Sequence, residues 1–120
     1  MDIVQIEKCT AFVTKDGSVI RELLSHRNSG IFNQSLAEAT IGTGIKTESH
    51  YHKLSEEIYY ILVGTAIMYL GNEVRRIDVG DAVAIPPGTV HWIHNDGQVD
   101  LKLLCCCAPG YEHEDTFMTS

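Results

Sequence analysis

The sequence predicts an all-β protein built from antiparallel strands in a sandwich or barrel, with no crossover helices. Three observations predict it. Short runs rich in β-branched and aromatic residues recur along the chain, most of them four to eight residues long. The breaks between them carry turn chemistry: Lys15-Asp16-Gly17, Asn28-Ser29-Gly30, Gly71-Asn72, Gly80-Asp81, Pro87-Gly88 and Asn95-Asp96-Gly97. No segment sustains a 3.6-residue apolar period with caps, and Ile20–Leu24 is too short to count as one.

In chain order, the first fifteen or so residues are read as an edge strand or as an arm on a neighbouring subunit. Ser18–Leu24 follows the first glycine turn and Ile31–Ile41 the second. Lys46–His52 and Glu57–Val63 are separated by the polar connection Lys53-Leu54-Ser55-Glu56. Gly64 divides Glu57–Val63 from Thr65–Leu70, and Gly71-Asn72 joins the latter to Glu73–Asp78 as a hairpin. Ala82–Ile85 ends at Pro86, which cannot donate to a ladder. Val90–Asn95 and Val99–Ala108 complete the set.

A chain of 120 residues is one domain's worth of sequence, read here as 1–120 with no fused second domain. Hydrophobic residues make up 44% and charged residues 21%, a globular rather than disordered balance. The formal charge of −7, without a basic run, speaks against nucleic acid or an anionic membrane surface as partner. No apolar stretch reaches bilayer-spanning length, and the start MDIVQIEKCT lacks a signal-peptide pattern, so a soluble, cytoplasmic protein is expected.

Of four cysteines, Cys105, Cys106 and Cys107 are contiguous and only Cys9 lies elsewhere, which is not a disulfide framework. Strand alternation points Cys105 and Cys107 one way and Cys106 the other. They are read as small apolar fillers of a buried strand, or as lining of an active-site cavity. The runs Ile58–Val63 and Leu101–Cys107 are nearly continuous in apolar residues, which predicts cover on both faces. A second sheet or a partner subunit is expected outside them, and a homodimer is favoured.

The chemistry-bearing residues are histidines and a glutamate. His50 and His52, two apart on a strand, leave the same face, so both imidazoles can converge on one point. Glu57 opens the next strand and can deliver a carboxylate there. His91 follows Pro86-Pro87-Gly88-Thr89-Val90, a rigid entry to its strand. Three imidazoles and a carboxylate suit one divalent transition ion: Fe, Mn, Ni, Cu or Zn. His94 has the opposite parity to His91 and is expected to face outward. His26 and His113 are read as solvated.

The full spacing is more specific. Gly44 is followed after five residues by His50-Tyr51-His52, after four more by Glu57 and after six by Gly64. Fifteen residues later come Gly80, Pro86-Pro87-Gly88, His91 and Asn95. This arrangement, over 44–64 and 80–95, resembles the two-box signature of the cupin superfamily, with every signature position filled. The stretches Asn33–Ala39, Ser55–Leu62 and Leu104–Pro109 with the following Tyr111, His113, Glu114, Asp115 and Thr116 also resemble small single-domain bacterial and archaeal cupins. The resemblance implies a double-stranded β-helix, or jelly-roll barrel, in which His50, His52, Glu57 and His91 ligate the metal. Asn95 would then be structural. Glu56 also lies within reach of the motif, but Glu57 leaves the right gap to Gly64.

A divalent ion held by three neutral imidazoles and one carboxylate keeps net positive charge, so a small anionic ligand with paired oxygens is expected, helped by Lys46 and Arg21 if their strands face the cavity. Tyr59 and Ile61 share parity with Glu57 and are the expected cavity residues, whereas Phe32 and Trp92 suit core or interface. Two functions fit: a metal-dependent enzyme, either a dioxygenase or an isomerase or tautomerase using the ion as Lewis acid, or a non-catalytic module that binds a small ligand around a structural ion. Tyr59 and Glu56 are the candidate general bases of the enzyme.

Overall fold

The computed structural model describes residues 1–119. Among the described residues eleven strands form: β1 (Phe12–Val13), β2 (Val19–Leu24), β3 (Ser35–Ile41), β4 (His50–His52), β5 (Glu56–Val63), β6 (Ala66–Leu70), β7 (Glu73–Ile77), β8 (Ala82–Ile85), β9 (His91–His94), β10 (Leu101–Ala108) and β11 (Thr116–Met118). Nine correspond to the runs read from the sequence. Ile31–Gln34 and Lys46–Ser49 stay outside the strands expected to contain them, apart from a single bridge between Lys46 and His94. The short edge strand β1 is realised within the chain, paired with β2. The C-terminal strand β11 was not anticipated; it pairs with β4 and matches Thr116 to His52 and Met118 to His50.

The strands form two antiparallel sheets. The first has the order β1-β2-β3-β10-β5-β8 and the second β11-β4-β9-β6-β7. Both orders are linear, so the two sheets face each other as layers and neither closes on itself. Their inner faces share one core, in which Ile61, Leu101, Leu103 and Ile93 are almost completely buried. Alternation supplies that core: along β5, Glu57, Tyr59 and Ile61 point inward while Glu56, Ile58, Tyr60 and Leu62 point outward. Among the described residues no helix is long and apolar enough to cross a membrane.

Two glycines are dictated by geometry. Gly64, at the β5–β6 turn, has φ +89°, and a Cβ there would lie 3.2 Å from the Asp100 carbonyl oxygen and 3.3 Å from Leu101 Cα. Gly88 has φ +77°, as the second central residue of a type II turn requires after Pro87. Its N–H donates to the His52 carbonyl at 2.7 Å, which ties this turn to the end of β4. Asn95 is buried and structural: its Nδ2 donates to the carbonyls of Ile41 and Val99, each at 2.9 Å, and its Oδ1 accepts from Gly97 N–H at 3.0 Å.

The outer face of β5 is not covered by a second layer. Ile58, Tyr60 and Leu62 are 49%, 43% and 37% exposed, beside Cys106 and Leu104 of β10, which pair with Ile58 and Tyr60. The continuous apolar run therefore reflects an apolar outer surface on this chain, not a strand enclosed by its own fold.

Candidate metal centre

The second sheet carries three histidines to one point. His50 and His52 leave the inner face of β4, and His91 opens β9 directly opposite His50. All three are buried, and one nitrogen from each lies within 4.8 Å of the others. Glu57 reaches them from the first sheet. Its Oε1 stands 3.3 Å from His52 Nε2 and 3.4 Å from His91 Nε2.

The ring orientations are set from behind. His50 Nδ1 donates to the Glu48 carbonyl at 2.8 Å, and His91 Nδ1 donates to the Thr89 carbonyl at 3.0 Å. A carbonyl only accepts, so each neutral ring holds its proton on Nδ1 and turns the Nε2 lone pair inward, as a metal ligand requires. His52 Nδ1 lies 3.3 Å from Thr116 Oγ1, so β11 supports the third ring. Glu57 Oε1 and His91 Nε2 are buried without a hydrogen-bond partner. Such groups are costly when left unsatisfied. A divalent ion accepting both lone pairs removes that cost, so the donor set fits a metal on grounds of packing as well as chemistry.

Burial and the neighbouring His91 push the His50 imidazole below its ordinary value, towards the neutral form that binds metal. Burial alone would raise the Glu57 carboxyl, but the adjacent His52 and His91 imidazoles outweigh it and hold it at about 2. For His52, burial works downward and Glu57 overrides it, leaving that imidazole raised.

The other candidates divide. Tyr59 lies inside, its ring 6.0 Å from that of His91. Burial first, then the Glu57 charge, pushes its phenol well above the ordinary value, so it keeps its proton. Glu56 is exposed on the opposite face of β5 and is not brought to the centre. Ile61 is in the core, Phe32 is 74% exposed, and Trp92 stacks on Tyr69 outside the second sheet.

Cys105 and Cys107 line the cavity above the histidines, while Cys106 faces away. Cys107 Sγ donates to Glu57 Oε2 at 3.4 Å. Burial and the Glu57 charge raise both thiols, so they remain protonated and all four cysteines are free. The cavity between the sheets opens to solvent, and among its lining residues are no lysine and no arginine. Lys46 lies instead over the Trp92 ring, 5.8 Å from its centroid. Arg21 leaves β2 on the face opposite Ile20 and Glu22, the two β2 residues that do line the cavity.

One neighbour of the centre escapes a motif-based reading. Asp16, in the β1–β2 turn, lines the cavity and places Oδ2 3.9 Å from His50 Nε2. Its sequence context, Lys15-Asp16-Gly17, signals only a turn.

The chain is similar to known proteins over nearly its whole length. It is 51% identical to an uncharacterized protein of Methanocaldococcus jannaschii over 118 residues, covering 97% of this chain and 94% of that protein. A solved structure described as a predicted oxalate decarboxylase from Thermotoga maritima superposes with a TM-score of 0.78 at 25% identity, over 89% of this chain and 98% of that one. The polyketide cyclase RemF from Streptomyces resistomycificus superposes with a TM-score of 0.84 at 19% identity, over 100% of this chain and 86% of that one, which is a likeness of fold. The family model described as the cupin domain matches residues 37–107, more than half of the chain and the span that holds the three histidines and Glu57, and the chain belongs to that family.

Proposed function

We propose that this protein is a small metalloenzyme of the jelly-roll cupin type, a single domain in which His50, His52, His91 and Glu57 hold one divalent transition ion beneath a cavity for a small organic substrate. The observation that carries this reading is the convergence of three buried imidazoles, two turned by backbone carbonyls and the third by the Thr116 hydroxyl, beside a buried carboxylate oxygen. An ion used only for structure needs no access, whereas this cluster opens into the cleft between the two sheets. The bound ion supplies a Lewis-acid or redox centre, suited to dioxygenase or isomerase and tautomerase chemistry. Around it, the chain's own residues orient and enclose: Tyr59 offers a phenolic proton, and Ile20, Ile93 and Leu103 exclude water from one side of the substrate. The four free cysteines support a reducing, cytoplasmic compartment.

Elemental analysis of untagged protein purified without oxygen tests the centre. About one equivalent of iron, manganese, nickel, copper or zinc per chain is expected. Oxygen-uptake and carbonyl-substrate screens on the loaded protein then separate the two reaction classes. Absence of metal, with failed reconstitution by each of these ions, overturns the metalloenzyme reading.

The apolar outer face of β5 and β10 supports a homodimer, since a second copy would cover Ile58, Tyr60 and Leu62. Sedimentation is expected to give a dimer for the wild-type protein and a monomer for Tyr60→Glu. A wild-type monomer at micromolar concentration overturns it.

A further inference from the structure

Asp16 is held in place from several directions. Its Oδ1 accepts from Thr14 Oγ1 at 2.7 Å, Ser18 N–H at 2.9 Å and Ser18 Oγ at 2.6 Å. Its carbonyl accepts from Glu48 N–H at 2.8 Å, which fastens the β1–β2 turn to the segment entering β4. The adjacent Lys15 Nζ donates to the carbonyls of His113 and Thr116, both at 3.0 Å, fastening the same turn to the C-terminal segment. Three donors saturate Oδ1, while Oδ2 forms no hydrogen bond and faces His50 across the cavity. A fixed carboxylate with one free oxygen, at the rim of a ligand cavity, is an acceptor awaiting a donor.

Charge decides what kind of donor. The third carboxylate in the cavity, Glu22, is already paired, receiving Arg27 Nε at 2.9 Å and Arg27 Nη2 at 3.0 Å. Asp16 and Glu57 therefore both face the histidine cluster, and their two negative charges equal in magnitude the charge of a divalent ion. No lysine or arginine lines the cavity to restore a positive field. An anionic ligand entering here meets two carboxylates on the wall and no base beside them, with the free Asp16 oxygen opposed to it whether or not an ion is bound. Much of the rest of the wall is apolar, including Phe12, Ile20, Ala37, Ile41, Ile93 and Leu103, which suits a ligand with an apolar body.

We propose that Asp16 sets the ligand class of this site: uncharged molecules with an apolar body that donate a hydroxyl or amide hydrogen to Asp16 Oδ2, with anions disfavoured. The inference rests on the proposed metal centre only for the ligand oxygen that faces the histidines, and the charge selection holds without it.

Salicylamide and salicylate form the probe pair, matched in size and differing in charge. Their affinities are measured for the full chain in metal-free form by amide chemical shifts and in cobalt-loaded form by visible absorption. The variants are Asp16→Asn, which keeps the Oδ1 acceptor and its anchors, and Asp16→Ala. Wild-type protein is expected to bind salicylamide about tenfold more tightly than salicylate in both forms. Asp16→Asn is expected to erase that preference by gaining affinity for salicylate, with cobalt stoichiometry unchanged. Failure of salicylamide to bind wild-type protein, salicylate binding as tightly as salicylamide, or a preference unaltered in Asp16→Asn overturns the assignment. Failure of cobalt to bind any form overturns the metal reading alone, because the ratio in the metal-free protein still decides the role of Asp16.

Discussion

Protein carrying His50→Ala and His52→Ala together is expected to bind a divalent transition ion more than ~100-fold more weakly than wild type, since loss of an outer partner alone costs 10–100-fold. Both imidazoles come from one three-residue strand and half of the donor set disappears with them. The fold should survive the change. The apolar core between the sheets contains neither residue, and β4 keeps its ladder with β11 through backbone groups. Elemental analysis before and after reconstitution reads the first expectation, and far-ultraviolet circular dichroism the second. A double variant that still holds about one equivalent would place the metal elsewhere. One that is unfolded would make the ion a structural element.

The metal-free protein is expected to lose stability steeply in acid, and Glu57→Gln to flatten that loss. Glu57 is held at about 2 against an ordinary 4.5 because His52 and His91 outweigh the cost of burying its charge. A depressed carboxyl contributes stability that is complete above the ordinary value and disappears as pH falls towards the folded one. The difference between 4.5 and about 2 is worth about 3 kcal/mol, all of it lost between roughly pH 4.5 and pH 2. His52 has the opposite sign. Its raised value means that its stabilisation is present below the ordinary 6.5 and lost as pH rises through the folded value. The pair is thus strongest between roughly pH 4.5 and 6.5. Thermal melts of metal-free wild type and Glu57→Gln should differ most in that window and converge by about pH 2. A constant gap across the range would show that Glu57 contributes shape rather than charge.

Much of this site is legible in the chain because its determinants are local. Strand alternation has a period of two, so His50 and His52 share a face whatever surrounds them, and Glu57, Tyr59 and Ile61 do likewise on β5. Turn residues act within a few positions, which is why Gly64 and the Pro87-Gly88 pair mark strand ends that the fold reproduces. The meeting of His91 with His50 was suggested by the spacing of two boxes and is realised as a cross-strand pair.

What only the tertiary structure decided depends on register between distant segments. Asp16 looks like turn chemistry until Glu48 N–H and the tail carbonyls fasten its loop over the histidines. Thr116 supports His52 only because β11 aligns with β4, and Cys107 meets Glu57 only because β10 pairs with β5 in that register. Parity says that Glu56 and Glu57 oppose each other, but which of them faces the core is fixed by the packing of Tyr59 and Ile61 between the sheets. Arg21 and Lys46 lie off the cavity wall, a matter of facing that spacing alone leaves open. Local covalent geometry and steric preference write themselves into short stretches of sequence. Register and facing are chosen by the burial of apolar surface contributed from the whole chain at once.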